Sequence, residues 1–456
     1  MSELETATGI ARAVRDAGGR ALIVGGWVRD RLLGRDAKDI DIEVFGLPAD
    51  QLKTLLAGVG SVNTVGESFT VYKVAGLDVS LPRRESKVGR GHKGFEVTGD
   101  PTLSIEEAAR RRDFTINAIS WDPLTGDYLD PFGGRDDLDR RVLRVVDPRT
   151  FAEDSLRVLR AIQFAARFEA TMEAETFAIC RAIPLDDLPA ERIWGEVEKL
   201  LLQAPKPSIG FWLARELGVV ERLWPELHAL IDCPQEPEWH PEGDVWIHTL
   251  MVVDGARTRI ADLDRARQNT VMLGAVMHDL GKPATTAFID GRIRSPGHEP
   301  EGVVPATKLL DRFNVRTMDN FDVRAQVLGI VQYHLAPGAW FKAAQEVGDG
   351  AFRRLAAKVD LELLYRVAKS DCEGRSPGKF DCSAMEWFRA RAEALGVEHA
   401  PPKPILLGRH LLALGLKPGP EVGTILKDIY ERQLDGEVQT LDEAIAIAKE
   451  QLAAKN

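Results

Sequence analysis

The 456-residue chain is 44% hydrophobic and 28% charged, the balance of a globular protein, and it is too long for one hydrophobic core. Its net charge of −11 argues against a general nucleic-acid binder. The four cysteines, Cys180, Cys233, Cys372 and Cys382, form no CxxC pair, which argues against a zinc ribbon or a disulfide scaffold.

The start of the chain carries acids and no long apolar run, so no signal peptide is expected. No stretch approaches the roughly 18 apolar residues of a membrane span. Together these predict a cytoplasmic protein of about two to four domains.

Residues 3–17 predict a short amphipathic helix. The apolar run Ala21-Leu22-Ile23-Val24 predicts a buried strand, broken at Gly25-Gly26. A helical segment with Arg29 and Asp30 follows, and then a strand over 39–45. Residues i and i+2 of a strand share a face, so Asp39 and Asp41 are expected to point the same way, with Ile40, Ile42 and Val44 in a core. Adjacent carboxylates repel unless a cation lies between them, and oxygen ligands of this kind suit Mg²⁺ with substrate phosphates completing its shell. The glycine turn lets backbone N–H groups approach a phosphate, and Arg29 offers it a charged donor. In this order the motifs predict a metal-dependent nucleotidyl-transfer site.

A helix over 49–58, a short strand over 62–66 and a hairpin over 69–81 come next. Asp78 is either a third carboxylate beside the first pair or an ordinary polar strand residue. Residues 82–102 predict a mobile loop rich in positive charge, with Arg83, Arg84, Lys87, Arg90 and Lys93 against Glu85. A polyphosphate or an RNA end would favour such charge near the metal site. A helix is expected over 104–119, capped at Ser104 and carrying Arg110, Arg111, Arg112 and Asp113. The strand at Tyr128-Leu129 and the turn at Gly133-Gly134 close an α/β head near residue 145.

From residue 151 the pattern is helical. Asp154, Arg157 and Arg160 recur at steps of three on a helix over 151–168. An acid beside an arginine can read the donor-next-to-acceptor edge that cytosine and adenine both offer. The same residues would equally form an intrahelical salt bridge. The helix over 190–201 packs behind them, with Glu191, Arg192 and Glu196 in support.

A different layout begins near His240. His248, His278, His298 and His334, with Asp279 and Asp371, lie in one mostly helical region. Imidazole and carboxylate together suit divalent metals, and a pair of such ions supports phosphate-ester hydrolysis. A proline-rich linker at 401–404 leads to a helical tail.

The motifs Val24-Gly25-Gly26-Trp27-Val28-Arg29-Asp30, Asp39-Ile40-Asp41, Arg111-Arg112-Asp113-Phe114-Thr115-Ile116-Asn117-Ala118, Asp130-Pro131-Phe132-Gly133-Gly134 and Glu153-Asp154-Ser155-Leu156-Arg157 occur in that order. In this the chain resembles the bacterial-type tRNA nucleotidyltransferase/poly(A) polymerase family, which includes the enzymes that build the 3′-terminal CCA of tRNA. The resemblance implies an α+β fold: a polymerase-beta-like head with a small mixed or antiparallel sheet, then an all-helical neck and body. It implies that Asp39 and Asp41 hold two metals, expected to be Mg²⁺; Asp78, from its strand position, is the candidate third catalytic acid. It implies that Gly25, Gly26, Arg29 and Arg112 handle the triphosphate. Asp154 and Arg157 would select CTP and then ATP, with Glu153 orienting Arg157. Asp113, Asn117 and Arg160 complete the nucleotide-binding set that the resemblance implies, and the basic loop would assist the switch from C to A.

The second half resembles the HD phosphohydrolase superfamily, with His248, His278, Asp279 and Asp371 as its metal set and His298 and His334 completing a two-metal version. That implies a divalent metal, of identity left open, and phosphatase or 2′,3′-cyclic phosphodiesterase activity. The expected divisions are 1–145 head, 146–225 neck, 226–395 HD domain and 396–456 helical tail. The expected partners are tRNA, CTP and ATP, with neither membrane nor DNA. Within the family, A-adding, CC-adding and poly(A)-forming enzymes share these motifs. Outside it stand an inactive transferase head serving an active phosphohydrolase and a non-catalytic RNA-binding scaffold.

Overall fold

The computed structural model describes residues 2–37, 39–65, 71–87, 95–343, 347–375 and 380–453. The chain forms two compact units, Met1–Leu223 and Trp224–Asn456.

The first unit opens with the helix Glu3–Asp16. Ser2 and Glu5 close it in a reciprocal capping box, and Ala7, Ile10, Ala11 and Val14 form its buried face. A seven-stranded sheet follows, in the order Val62–Val65, Val71–Val74, Leu77–Ser80, Asp41–Phe45, Arg20–Val24, Ser120–Trp121 and Tyr128–Leu129. All neighbours are antiparallel except Asp41–Phe45 with Leu77–Ser80, which is parallel. Side chains alternate across the strand Arg20–Val24. Ala21 and Ile23 join a core with Ile40, Ile42, Val44 and the first helix, while Leu22 and Val24 pack with Phe45 and Ala108 on the other face.

Four sequence expectations need correction here. The strand expected from residue 39 begins at Asp41, and Asp39 precedes it with φ 58°, in the left-handed region. The helix expected over 104–119 ends at Arg110, capped at its start by Ser104 and Glu107 as expected. Asp113 therefore lies on a turn, and Asn117 ends the short 3₁₀ turn Thr115–Asn117. The stems of the expected loop pair as an antiparallel ribbon, Arg83–Lys87 with Phe95–Gly99. The helix expected from residue 151 is two helices, Pro148–Phe151 and Leu156–Phe168, with Glu153 and Asp154 on the break between them.

The second unit is helical. The helix Arg265–Met277 is buried along most of its length, which marks it as the centre of its bundle. The helices Val245–Arg257, His298–Arg312, Val323–Tyr333 and Leu361–Glu373 belong to the same unit. A small separate core joins Leu406, Leu411, Ile425, Ile429, Val438, Ala444 and Ala448 near the end of the chain. Cys372 and Cys382, ten positions apart, are joined in a disulfide, a pairing that the absence of a CxxC motif had argued against. Among the described residues no helix is long and apolar enough to cross a membrane.

Candidate functional site

In the first unit, strand register assembles the site. Val24 is opposite Asp41, and Asp41 is opposite Asp78. The glycine turn after Val24 and two carboxylates therefore meet at one end of the sheet. Asp39 lies close enough for its charge to bear on Asp41. That proximity comes from the left-handed residue before the strand, not from strand alternation. The Asp41 carboxyl is held above its usual range by desolvation first, then by Asp78 and Asp39, against the pull of Arg112 and Lys73. Lys73, a residue the sequence reading did not single out, bonds both oxygens of Asp78 at 2.8 and 2.9 Å.

Gly25 has φ 74°, and a Cβ there would stand 3.1 Å from Arg112 Nη1 and 3.8 Å from Asp41 Oδ2. The missing side chain leaves that space between the arginine and the acids open. Arg112 also lies 3.7 Å from Glu43.

Arg29 is placed differently from the expectation. Its guanidinium is buried, donates to Asp30 at 2.9 Å and to Asn117 Oδ1 at 2.6 Å, and sits over the rings of Phe164 and Phe168. Asn117 Nδ2 donates to Asp113 at 2.9 Å, and Asp113 receives Arg160 Nε at 2.7 Å. One chain of polar contacts thus ties the glycine turn, through Asn117 and Asp113, to the helix Leu156–Phe168. Burial pushes the Asp113 carboxyl up, but Arg160, Asn117 and the Phe114 N–H outweigh it and hold the group below its usual range.

Beyond this network, Arg157 is fixed by the carbonyls of Thr150 and Arg111 at 2.8 and 2.9 Å. Asp154 is held by both terminal nitrogens of Arg192 at 3.1 and 2.9 Å, the supporting contact expected from the second helix. Glu153 is half-buried on the same turn. Of the basic loop, Arg83 and Arg84 are exposed and Arg84 pairs with Asp100. The backbone of Lys87 ends a ribbon strand, while Arg90 and Lys93 lie outside the described residues.

In the second unit all six expected residues come together. His278, Asp279 and Lys282 follow the central helix. Gly281 permits the close approach of the helix that starts at His298: a Cβ there would stand 2.0 Å from the His298 carbonyl oxygen. Three histidines use Nδ1 on the carbonyl three residues earlier: His278 on Ala275, His298 on Ser295 and His334 on Val331, at 2.8–2.9 Å. His248 uses its Nδ1 on Glu242 at 2.8 Å. These bonds place the proton on Nδ1 and leave each Nε2 lone pair facing inward.

What those lone pairs face decides the chemistry. His298 Nε2 lies 3.3 Å from His334 Nε2 and 3.3 Å from Asp279 Oδ1. His248 Nε2 lies 3.0 Å from Asp371. His278 Nε2 is buried without a hydrogen-bond partner, 3.2 Å from Asp279 Oδ2. Imidazole nitrogens and carboxylate oxygens converge throughout, an arrangement that a shared cation stabilises. Without one, burial works downward on His248 and His298, but Asp371 and Glu242 on the first and Asp279 on the second outweigh it and hold both above the usual histidine range. Three groups have ligand spacing among the described residues: His248 with His278 and Asp371, Asp279 with His298 and His334, and His240 with Glu242 and His248. Burial, then His278, pushes His334 down to about 3, so it is neutral as a metal ligand must be.

Sequence reasoning missed the supporting residues of this cluster. Glu242 Oε1 also accepts from His240 Nδ1 at 2.8 Å. Burial works upward on Glu242, but the bonds from His240 and His248 prevail and hold it near 2. Lys282 Nζ lies 2.7 Å from Asp279 and donates to Gln235 at 2.7 Å. The position of Lys282, just past His278-Asp279, was the available signal; Glu242 and Gln235 had none.

A mixed sheet with carboxylates at one end, followed by a helical body, defines a polymerase-type nucleotidyltransferase. Residues 21–144 match the poly A polymerase head domain, and residues 171–231 match the probable RNA and SrmB-binding site of polymerase A. The chain is 36% identical over 419 residues to the multifunctional CCA protein of Xanthomonas campestris pv. campestris (strain B100), covering 89% of this chain and 95% of that one. It is 34% identical to the multifunctional CCA protein of Halorhodospira halophila, over 89% of this chain and 94% of the relative. The Bacillus stearothermophilus CCA-adding enzyme in complex with CTP has a similar fold, with a TM-score of 0.65 at 23% identity over 100% of this chain and 99% of that one. The Thermotoga maritima CCA-adding enzyme complexed with tRNA has one at a TM-score of 0.58 and 19% identity, over 98% of this chain and 95% of that one. The chain belongs to the bacterial-type tRNA nucleotidyltransferase/poly(A) polymerase family, that of the multifunctional CCA proteins.

Proposed function

We propose that this protein adds C, C and A from CTP and ATP to the 3′ end of tRNA, without a template. The observation that carries the reading is the meeting of Asp39, Asp41 and Asp78 beside Gly25 and Arg112, in a chain that matches 95% of the length of one multifunctional CCA protein and 94% of another. The crowded carboxylates fit Mg²⁺, a hard cation that takes oxygen ligands. Asp39 and Asp41 would hold it, and when bound it would supply activation of the terminal hydroxyl and neutralisation of triphosphate charge.

The chain's own residues do the rest. Gly25 and Gly26 leave room for the triphosphate, and Arg112 pairs with it. Asp154, held by Arg192, presents an acceptor to the base; Arg157, held by backbone carbonyls, presents a donor. That pair accepts cytosine or adenine and mismatches guanine and uracil. Arg29, Asn117, Asp113 and Arg160 set the glycine turn against the base-reading helix. The divisions 1–145, 146–225, 226–395 and 396–456 and a cytoplasmic location belong to the same reading.

The histidine cluster supports a second activity, hydrolysis of phosphate esters including 2′,3′-cyclic phosphates. The converging groups of His298, His334 and Asp279 favour it. They fit a divalent ion with mixed imidazole and carboxylate ligands.

The test is incubation with Mg²⁺ and a tRNA transcript lacking CCA, with CTP, ATP or both. Two added nucleotides with CTP and three with both are expected. A stop after two C, extension only of transcripts ending in CC, or long A tails would replace the reading by a CC-adding, A-adding or poly(A)-forming enzyme. No extension, with hydrolysis of cyclic phosphate, would move the function to the histidine centre.

A further inference from the structure

Trp27 and Trp121 are buried in the first unit with ring centroids 5.4 Å apart. The exposed Arg31 guanidinium lies over both, at 5.3 and 4.8 Å. Arg35 lies over Phe168 at 5.1 Å and Arg135 over Tyr128 at 5.2 Å, and both are exposed. An aromatic ring steadies a guanidinium through its face and leaves the N–H donors on its edge unused. Among the described residues none of the three pairs with an acid, and Arg35 has one long bond, 3.5 Å, to the Arg167 carbonyl.

Arg31 and Arg35 line one open cavity of about 660 Å³ with Trp27, Leu32, Asp36 and Tyr128, and Tyr128 is the ring beneath Arg135. None of these residues belongs to the transfer site or to its nucleotide-binding set. Arg31 is carried by the helix Gly26–Leu32, which starts at the glycine turn. The cavity is therefore built on an element shared with the transfer site.

Its chemistry fits a phosphodiester strand. A guanidinium fork pairs with phosphate oxygens. The Asp36 carboxylate works against a free polyphosphate, but it can accept from a ribose 2′-hydroxyl, and RNA repeats that hydroxyl beside every phosphate. A chain of net charge −11 holds RNA only through local patches of unpaired cations.

We infer that Arg31, Arg35 and Arg135 form a phosphate-contacting site for the RNA strand, separate from the transfer site and outside the residues 171–231 that match an RNA-binding model. This rests on reading the chain as one that acts on tRNA.

The test titrates a tRNA transcript lacking CCA into the full-length chain over a series of salt concentrations, beside the pairs Arg31→Gln with Arg35→Gln and Arg31→Lys with Arg35→Lys. The glutamine pair is expected to weaken binding roughly tenfold at low salt, and to make the slope of log affinity against log salt shallower by about 1–2, whatever the transcript's sequence. The lysine pair keeps both charges and is expected to keep the slope. In extension assays the glutamine pair should raise KM for tRNA and leave kcat, KM for CTP and Tm unchanged. An unchanged slope in the glutamine pair, or a slope lost equally in the lysine pair, would overturn the site. Titration of pyrophosphate reads the other source of phosphate. Weaker pyrophosphate binding by the glutamine pair, with tRNA binding unchanged, would give the cavity to a free polyphosphate and overturn the RNA site. No tRNA binding by the wild type would overturn the reading of the chain and this site together, whereas equal tRNA binding by all three chains overturns the site alone.

Discussion

The two metal-type sites of this chain are built in opposite ways. The site in the first unit lies at an open strand end and consists of oxygen donors whose charges repel, with Lys73 and Arg112 as partial counterweights. The site in the second unit is buried among helices, and each histidine is locked by a bond on its far nitrogen. An open cluster with strained charge suits a cation that arrives with a substrate and leaves with it. A buried cluster with fixed tautomers suits a resident ion.

The largest expected effect tests the open site. If Asp41 holds the catalytic ion as proposed, Asp41→Asn should lower tRNA extension by on the order of 10³-fold or more. Primer-extension rates at saturating CTP measure it. The second prediction concerns the buried network that aligns this site. Asp113→Asn takes the counter-charge from half-buried Arg160 and should destabilise the chain by about 1–3 kcal/mol, read from urea unfolding. The sign with pH follows from the depressed Asp113 pKa. Its contribution is present above the unfolded pKa and disappears as pH falls through the folded one. The variant should have lost that part of the acid sensitivity.

A smaller effect is expected at the buried site. Glu242→Gln removes the carboxylate that fixes His248 and should weaken divalent-metal binding about 10–100-fold by calorimetry. The smallest returns to Asp41. Its pKa is raised in the fold, so without metal its carboxylate costs stability as pH rises from the unfolded to the folded pKa. In metal-free buffer at neutral pH, Asp41→Asn should therefore raise Tm slightly, and Mg²⁺ should raise the Tm of the wild type more than that of the variant.

The two sites also differed in how far the sequence revealed them. Gly25-Gly26, Asp41 and His278-Asp279 are local signals, because the turn, strand end or helix end that uses them lies in the same few residues. Asp39 was found for an incomplete reason. Alternation along a strand placed it beside Asp41, whereas a left-handed residue before the strand does so. Arg29 pointed to phosphate by residue type, yet Asn117, 88 positions later, and the Phe164 and Phe168 rings enclose it. Glu242 and Gln235 carry no motif. Their partners His248 and Lys282 reach them only through the folded bundle, and no periodicity encodes such contacts.

The most direct test of the central claim is extension of a tRNA transcript lacking CCA by the wild type and Asp41→Asn side by side, with Mg²⁺, CTP and ATP. The account predicts three added nucleotides with the wild type and none with the variant over the same interval, while both chains bind divalent metal at the histidine centre equally. Extension that survives in Asp41→Asn would contradict it, because the carboxylates at the sheet end would then not be the transferase centre.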